Sequence, residues 1–68
     1  MTVDSAVREQ QAMREVTERL TRNFGEAYST DQVTETVSMI HHRFDDRPIR
    51  DFVPILVERL ARQQLTSR

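Results

Sequence analysis

Pro48–Leu65, PIRDFVPILVERLARQQL, is the stretch of sequence that sets the architecture of this chain. Projected on a helix, its large apolar side chains cover an arc of roughly 200°, whereas a helix lying on one side of a core needs little more than about 100°. The arc is formed by Ile49, Phe52, Val53, Ile55, Leu56, Val57 and Leu60. Two neighbouring helices would cover the middle of this arc but not both margins. The pattern therefore predicts a helix at the centre of a small assembly, with one flank open to a partner.

Pro54 limits where this third helix can begin. Deep inside a helix a proline costs about 3 kcal/mol, whereas in the first turn its missing N–H costs little. We therefore expect Arg50 or Asp51 to be the N-cap of a helix over roughly residues 50–65. A continuous helix from Pro48, kinked at Pro54, is the alternative geometry.

A first helix is predicted over roughly residues 5–24. Its apolar positions follow a 3-4-4 spacing that keeps them on one face: Met13, Val16, Leu20 and Phe24. Glu15 and Glu18 stand four residues before Arg19 and Arg22, an order that favours ion pairs along the helix. Gly25 is the only glycine of the chain, and we expect it to end this helix in the left-handed conformation.

A second helix is predicted over roughly residues 30–44, and its start has the clearest local signature. Ser29 and Gln32 have the spacing of a capping box, and Tyr28 and Val33 that of a hydrophobic staple. The apolar stripe continues through Val33, Val37, Ile40 and Phe44. The segment from Asp45 to Pro48 should break the helix.

Length and composition indicate one small all-α domain over residues 1–68. No sustained two-residue alternation or hairpin dipeptide predicts a strand, so we expect an antiparallel three-helix bundle. A chain of 68 residues has a thin core and commonly needs disulfides, metals or oligomerisation. Cysteine is absent, which removes disulfides and thiolate zinc sites. Oligomerisation, most simply as a dimer, is the remaining means of stabilisation.

The charges of the chain do not form a basic surface. Ten arginines and no lysine stand against eleven acidic residues, for a net charge of −1. Arg47, Arg50, Arg59 and Arg62 favour a DNA-recognition helix when taken alone. Acidic residues are interspersed among them, however, and the third helix is too apolar to lie in a groove. We therefore expect no nucleic-acid partner.

His41-His42, followed by Asp45-Asp46, is the only cluster of ligand-type side chains in the sequence. Adjacent histidines on a helix diverge by about 100°, so they do not converge on one metal ion. No nucleophile–base pair is recognisable either. We therefore expect no enzymatic activity, metal or cofactor. No apolar run reaches transmembrane length and no secretory signal is recognisable, which predicts a cytoplasmic protein without a membrane partner.

The segment RDFVPILVERLAR is similar to a known family. Together with Phe24-Gly25 and the polar cap before Val33, it resembles the three-helix-bundle dimerisation domain of actinobacterial proteins over roughly residues 14–65. That domain also forms the N-terminal part of protein-tyrosine-phosphatase-like and arsenate-reductase-like proteins. Their catalytic Cys-x5-Arg loop has no counterpart here, because the chain has no cysteine. The resemblance implies an association module and an actinobacterial source, without the enzymatic activity.

The sequence thus predicts a non-enzymatic dimerisation module that uses the third helix. The expected interface residues are Phe52, Val53, Ile55 and Val57, whereas Leu56 and Leu60, at the middle of the arc, are expected to lie in the core. A further protein partner is compatible with the same surface. The alternative function is that of a small DNA-binding or transcription-regulatory helical domain.

Overall fold

The computed structural model describes residues 5–67, which form three α-helices and contain no strand. Helix α1 spans Ser5–Phe24, α2 spans Thr30–His42 and α3 spans Val53–Thr66. Residues 1–4 and 68, which the predicted domain includes, lie outside this description. Helix α2 ends two residues earlier than predicted, and Phe44 is buried from the turn that follows it.

The three helices pack against one another in an up-down-up arrangement. Each pair of helices is in contact. Glu9, near the start of α1, contacts His41 at the end of α2, so these two helices are antiparallel. Tyr28, just before α2, bonds to Leu65 near the end of α3, so α2 and α3 are antiparallel as well. The all-α three-helix architecture predicted from the sequence is therefore present.

The core is a single apolar cluster to which each helix contributes one narrow stripe. Helix α3 contributes residues spaced by four, and no polar side chain is buried among residues 6–67. The buried residues are Met13, Val16, Leu20, Val33, Val37, Ile40, Phe44, Val53, Val57, Ala61 and Leu65. Phe24 and Tyr28 pack at its edge. Burial of these side chains is the main favourable contribution to folding.

The prediction that Leu56 and Leu60 lie in the core is wrong. They are 39% and 36% exposed, whereas Val57 and Ala61, the next residue in each case, are fully buried. Consecutive residues point about 100° apart on a helix, so the buried stripe is rotated away from the middle of the predicted arc. Ala61 and Leu65, which lay outside that arc, bring about the rotation because they face α1 and α2.

Gly25 ends α1 without the left-handed conformation predicted for it, since no glycine has a positive φ. A Cβ atom at this position would lie 2.6 Å from the carbonyl oxygen of Thr21, too close for any L side chain without movement of the backbone. The chain turns here through two N–H groups, those of Ala27 and Tyr28, which donate to the carbonyl of Phe24 at 3.0 and 2.9 Å. Gly25 is therefore required by lack of space and not by its backbone angle.

The capping box of α2 is confirmed. The N–H of Gln32 donates to Ser29 Oγ at 3.2 Å, and the N–H of Ser29 donates to Gln32 Oε1 at 2.9 Å. Tyr28, the residue before the cap, packs against the core, and its hydroxyl donates to the carbonyl oxygen of Leu65 at 3.0 Å. This last bond joins the start of α2 to the end of α3, and no pattern in the sequence predicts it.

Helix α3 begins at Val53, so the predicted N-cap at Arg50 or Asp51 is wrong by one or two residues. Phe52 is the N-cap and makes no side-chain capping bond. The placement of Pro54 in the first turn is confirmed, and its missing N–H therefore removes no helix hydrogen bond. The kinked alternative from Pro48 is not observed.

Replacing Ser29 by alanine should lower the free energy of unfolding by about 0.5–2 kcal/mol, because a donor at the start of α2 loses its partner. Ser38→Ala is the matched control: Ser38 is exposed in the middle of the same helix, where alanine is the better helix former. Urea denaturation measures both. Equal midpoints for Ser29→Ala and wild type would contradict the observed start of α2.

Leu20→Ala and Leu60→Ala remove the same atoms from a fully buried and a partly exposed site. Leu20→Ala should cost about 2–5 kcal/mol and leave little folded protein. Leu60→Ala should cost less, because the Leu60 side chain is already 36% exposed and the space it leaves would be reached by water instead of enclosed. Thermal unfolding followed by circular dichroism checks this, and equal losses would contradict the observed rotation of α3.

Candidate association surface

An apolar surface remains open along α3. Of the seven large hydrophobic side chains that are exposed within residues 6–67, five belong to α3 or to the linker just before it. These are Ile49, Phe52, Ile55, Leu56 and Leu60, here called the α3 surface. Single exposed hydrophobic residues are common in proteins, but a contiguous group is a mark of interaction sites.

The part of the α3 surface formed by Ile49 and Leu56 adjoins the turn that follows α2. Phe52, Leu56 and Leu60 follow one another at intervals of four residues and so form a row along the helix. Ile49 extends the row into the linker, where it lines with Leu56 a shallow cavity of about 180 Å³. Phe44 and Val53 of the core form part of the same cavity. The surface therefore runs from the linker to the middle of α3.

Two of the four predicted interface residues are on this surface. Phe52 and Ile55 are each 64% exposed, whereas Val53 and Val57 are buried in the chain's own core. Those two are corrected to core residues. The sequence-based interface also missed Ile49, Leu56 and Leu60. The four-residue spacing from Phe52 was the signal that could have identified the last two.

The linker that carries Ile49 and Phe52 is fixed to α1 by a charged network. Arg50 donates to both carboxylate oxygens of Glu9, from Nε at 2.9 Å and from Nη2 at 2.6 Å. Its remaining terminal nitrogen donates to the carbonyl of Phe44. His41 Nε2 lies 2.6 Å from the same Glu9 carboxylate. Paired, half-buried guanidinium–carboxylate contacts of this kind fix the geometry of both partners.

The network changes the protonation of Glu9. The hydrogen bonds from Arg50 lower the pKa of the Glu9 carboxyl to about 2, against the opposing effect of burial and with further help from His41. The carboxylate therefore stays ionised in the folded chain well below the pH at which an ordinary glutamate is protonated. No local sequence pattern predicts this network, because its members are separated by 32 and 41 residues.

A second ion pair joins α1 and α3 on the opposite flank of α3. Arg19 contacts Glu58 at 2.7 Å, and Arg62 contacts the same carboxylate at 3.2 Å. The sequence pattern predicts a pair between Arg19 and Glu15 along α1. In the structure, Arg19 instead forms its ion pair with Glu58 of α3. The hydrogen bond from Arg19 is the main cause of a lowered pKa of the Glu58 carboxyl.

The arginines that favoured DNA recognition are largely engaged within the chain. Arg50 binds Glu9, Arg62 binds Glu58, and the guanidinium of Arg47 lies 5.4 Å from the centre of the Phe44 ring. Arg59 alone of the four is exposed with neither an ion pair nor a ring contact to another described residue. This arrangement presents no row of free cations to a phosphate backbone.

The two histidines contact different carboxylates. His41 is held by Glu9, and His42 lies 3.0 Å from Asp45 at the exposed end of α2. Among the described residues, no three His, Asp or Glu side chains are placed to hold a metal ion together. That the chain binds no metal remains a prediction.

Comparison with known protein families, with curated proteins and with solved structures gives no match to this chain. The resemblance to the dimerisation-domain family therefore rests on the sequence motif alone. None of the described helices combines the length and apolar character needed to cross a membrane.

Glu9→Gln should destabilise the chain by about 1–3 kcal/mol at neutral pH, because charged hydrogen bonds to Arg50 and His41 are lost. The folded-state pKa of Glu9 lies below its ordinary value of 4.5, at about 2. Its stabilising contribution is therefore complete above about pH 4.5 and is lost as the pH falls towards 2. The difference between wild type and variant should shrink accordingly on acidification.

Urea midpoints measured from pH 7 to pH 2 check this prediction. Glu35→Gln, which changes an exposed glutamate of α2, is the control. It should leave the urea midpoint almost unchanged at pH 7. A loss of stability in Glu9→Gln that does not vary with pH would contradict the role assigned to the carboxylate.

Proposed function

We propose that this protein is a non-enzymatic self-association module that forms a homodimer through the α3 surface. The single observation that carries the proposal is the contiguous row of exposed apolar side chains on a helix whose other face is already buried. Ile49, Phe52 and Ile55 are each more than 60% exposed. Water contact with such a group is unfavourable, and a partner that covers it gains the corresponding free energy.

The size of the surface suits a small dimer. Summed over its five side chains, the α3 surface exposes on the order of 500 Å² of mainly apolar area per chain, taking roughly 200 Å² for a fully exposed large side chain. Two copies would bury about 1,000 Å² in total, the lower bound for a specific interface. Met39, also exposed, lies on α2 beside the end of α3 and can extend the contact.

A second copy of the chain is the partner best matched to this surface. Within residues 6–67 the core contains only eleven buried hydrophobic side chains, one of them an alanine, and small domains of this size commonly gain stability by association. The surface is also ordered in advance, because Arg50 and Glu9 hold the linker that presents Ile49 and Phe52. Preorganisation lowers the entropy lost on binding.

The proposal assigns the chain no catalytic step. Its buried or half-buried charged groups are used in structural contacts: Arg19 with Glu58 joins α1 to α3, and Glu9 with Arg50 joins α1 to the linker. The absence of cysteine fits a reducing compartment such as the cytoplasm. The cellular role that we propose is therefore association itself.

Light scattering over a dilution series tests the proposal. Wild type should have the mass of two 8.0 kDa chains at high concentration and of one on dilution. Leu56→Glu should remain helical but monomeric at the concentration at which wild type is dimeric, because a charge would be buried without a partner.

Val7→Glu is the matched control, since Val7 is 53% exposed but belongs to α1. It should dimerise as wild type does. A wild type that is monomeric at every concentration would refute self-association. A Leu56→Glu variant that dimerises as wild type does would show that α3 is not the site of association.

A further inference from the structure

The row formed by Phe52, Leu56 and Leu60 has a geometry that two copies can share. Leu56 is its midpoint, and each neighbour lies about 6 Å away along the helix axis. A closed homodimer uses the same patch on both chains, related by a two-fold axis. Two such arrangements are open to this row, with the two α3 helices either parallel or antiparallel.

The charges beside the row differ between its two ends. Asp51 is exposed just before α3, and Asp45 and Asp46 are exposed in the same linker. Arg59 is exposed two turns further along the helix. Neither Asp51 nor Arg59 makes an ion pair with another described residue. Asp51 and Arg59 thus lack ion-pair partners among the described residues, whereas Asp45 is already paired with His42.

Only the antiparallel arrangement brings these charges together. With the two-fold axis at Leu56, Arg59 of one copy lies within about 3 Å along the axis of Asp51 of the other. In the parallel arrangement Asp51 lies level with Asp51 of the second copy, so that like charges face each other.

We infer that two copies pair through antiparallel α3 helices, with the two-fold axis at Leu56. Phe52 of each copy packs against Leu60 of the other, and Arg59 of each faces Asp51 of the other. This inference rests on the proposed self-association and adds its symmetry and its central residue. The partner is therefore a second copy of this chain in one defined orientation.

Single cysteine variants test the orientation directly, because the chain has no cysteine of its own. Leu56→Cys and Leu60→Cys each place one thiol at an exposed position of the row. Both variants are oxidised at a concentration at which light scattering shows the dimer, and disulfide-linked chains are read by non-reducing electrophoresis. Circular dichroism checks that both remain helical.

The expected result is that Leu56→Cys forms a covalent dimer and Leu60→Cys does not. A residue on the axis meets its own copy, whereas two Leu60 positions lie about 12 Å apart along the axis, beyond the roughly 4.4–6.8 Å that a disulfide spans. The double variant Phe52→Cys/Leu60→Cys should also become covalently linked.

Other results would overturn the inference. Efficient linkage of Leu60→Cys to itself would show parallel helices or a shifted axis. A dimeric mass without linkage in any of the three variants would place the contact elsewhere, which leaves self-association intact. A monomeric mass at all concentrations would instead refute the proposed function and the inference with it.

Discussion

The structure depends on one constraint: α1 and α2 together can cover only a narrow stripe of α3. The buried residues of α3 are Val53, Val57, Ala61 and Leu65, spaced by four residues. The apolar arc of the sequence is about twice the width that a helix on one side of a core needs. The remainder, centred on Leu56, therefore faces outwards. A folded monomer and an apolar outer surface thus follow from the same sequence.

Polar contacts outside the apolar core fix the two ends of the bundle. Glu9 and Arg50 attach the linker to α1, and the Tyr28 hydroxyl attaches the start of α2 to the end of α3. Such contacts contribute modestly to stability, but they determine direction and position. Because the linker presents part of the α3 surface, an ion pair within the chain shapes the surface that we propose binds a second copy.

Local signals predicted the helices, the capping box and the placement of Pro54, because each depends on residues a few positions apart. The rotation of α3 depends on packing with two other helices, and the sequence pattern misplaced Leu56 and Leu60 by about 100°. The Glu9–Arg50 contact joins residues 41 positions apart and leaves no local pattern. Phe52 and Ile55 were identified as surface residues because a wide arc must leave some apolar side chains outside.

The central claim is that the outward face of α3 is covered by a second copy. Backbone amide chemical shifts recorded over a dilution series measure this residue by residue. Concentration-dependent shifts should cluster in the linker and α3 around Phe52, Leu56 and Leu60, while amides in the middle of α1 stay constant. Shifts that do not change with concentration, or that change only on α1, would contradict the account.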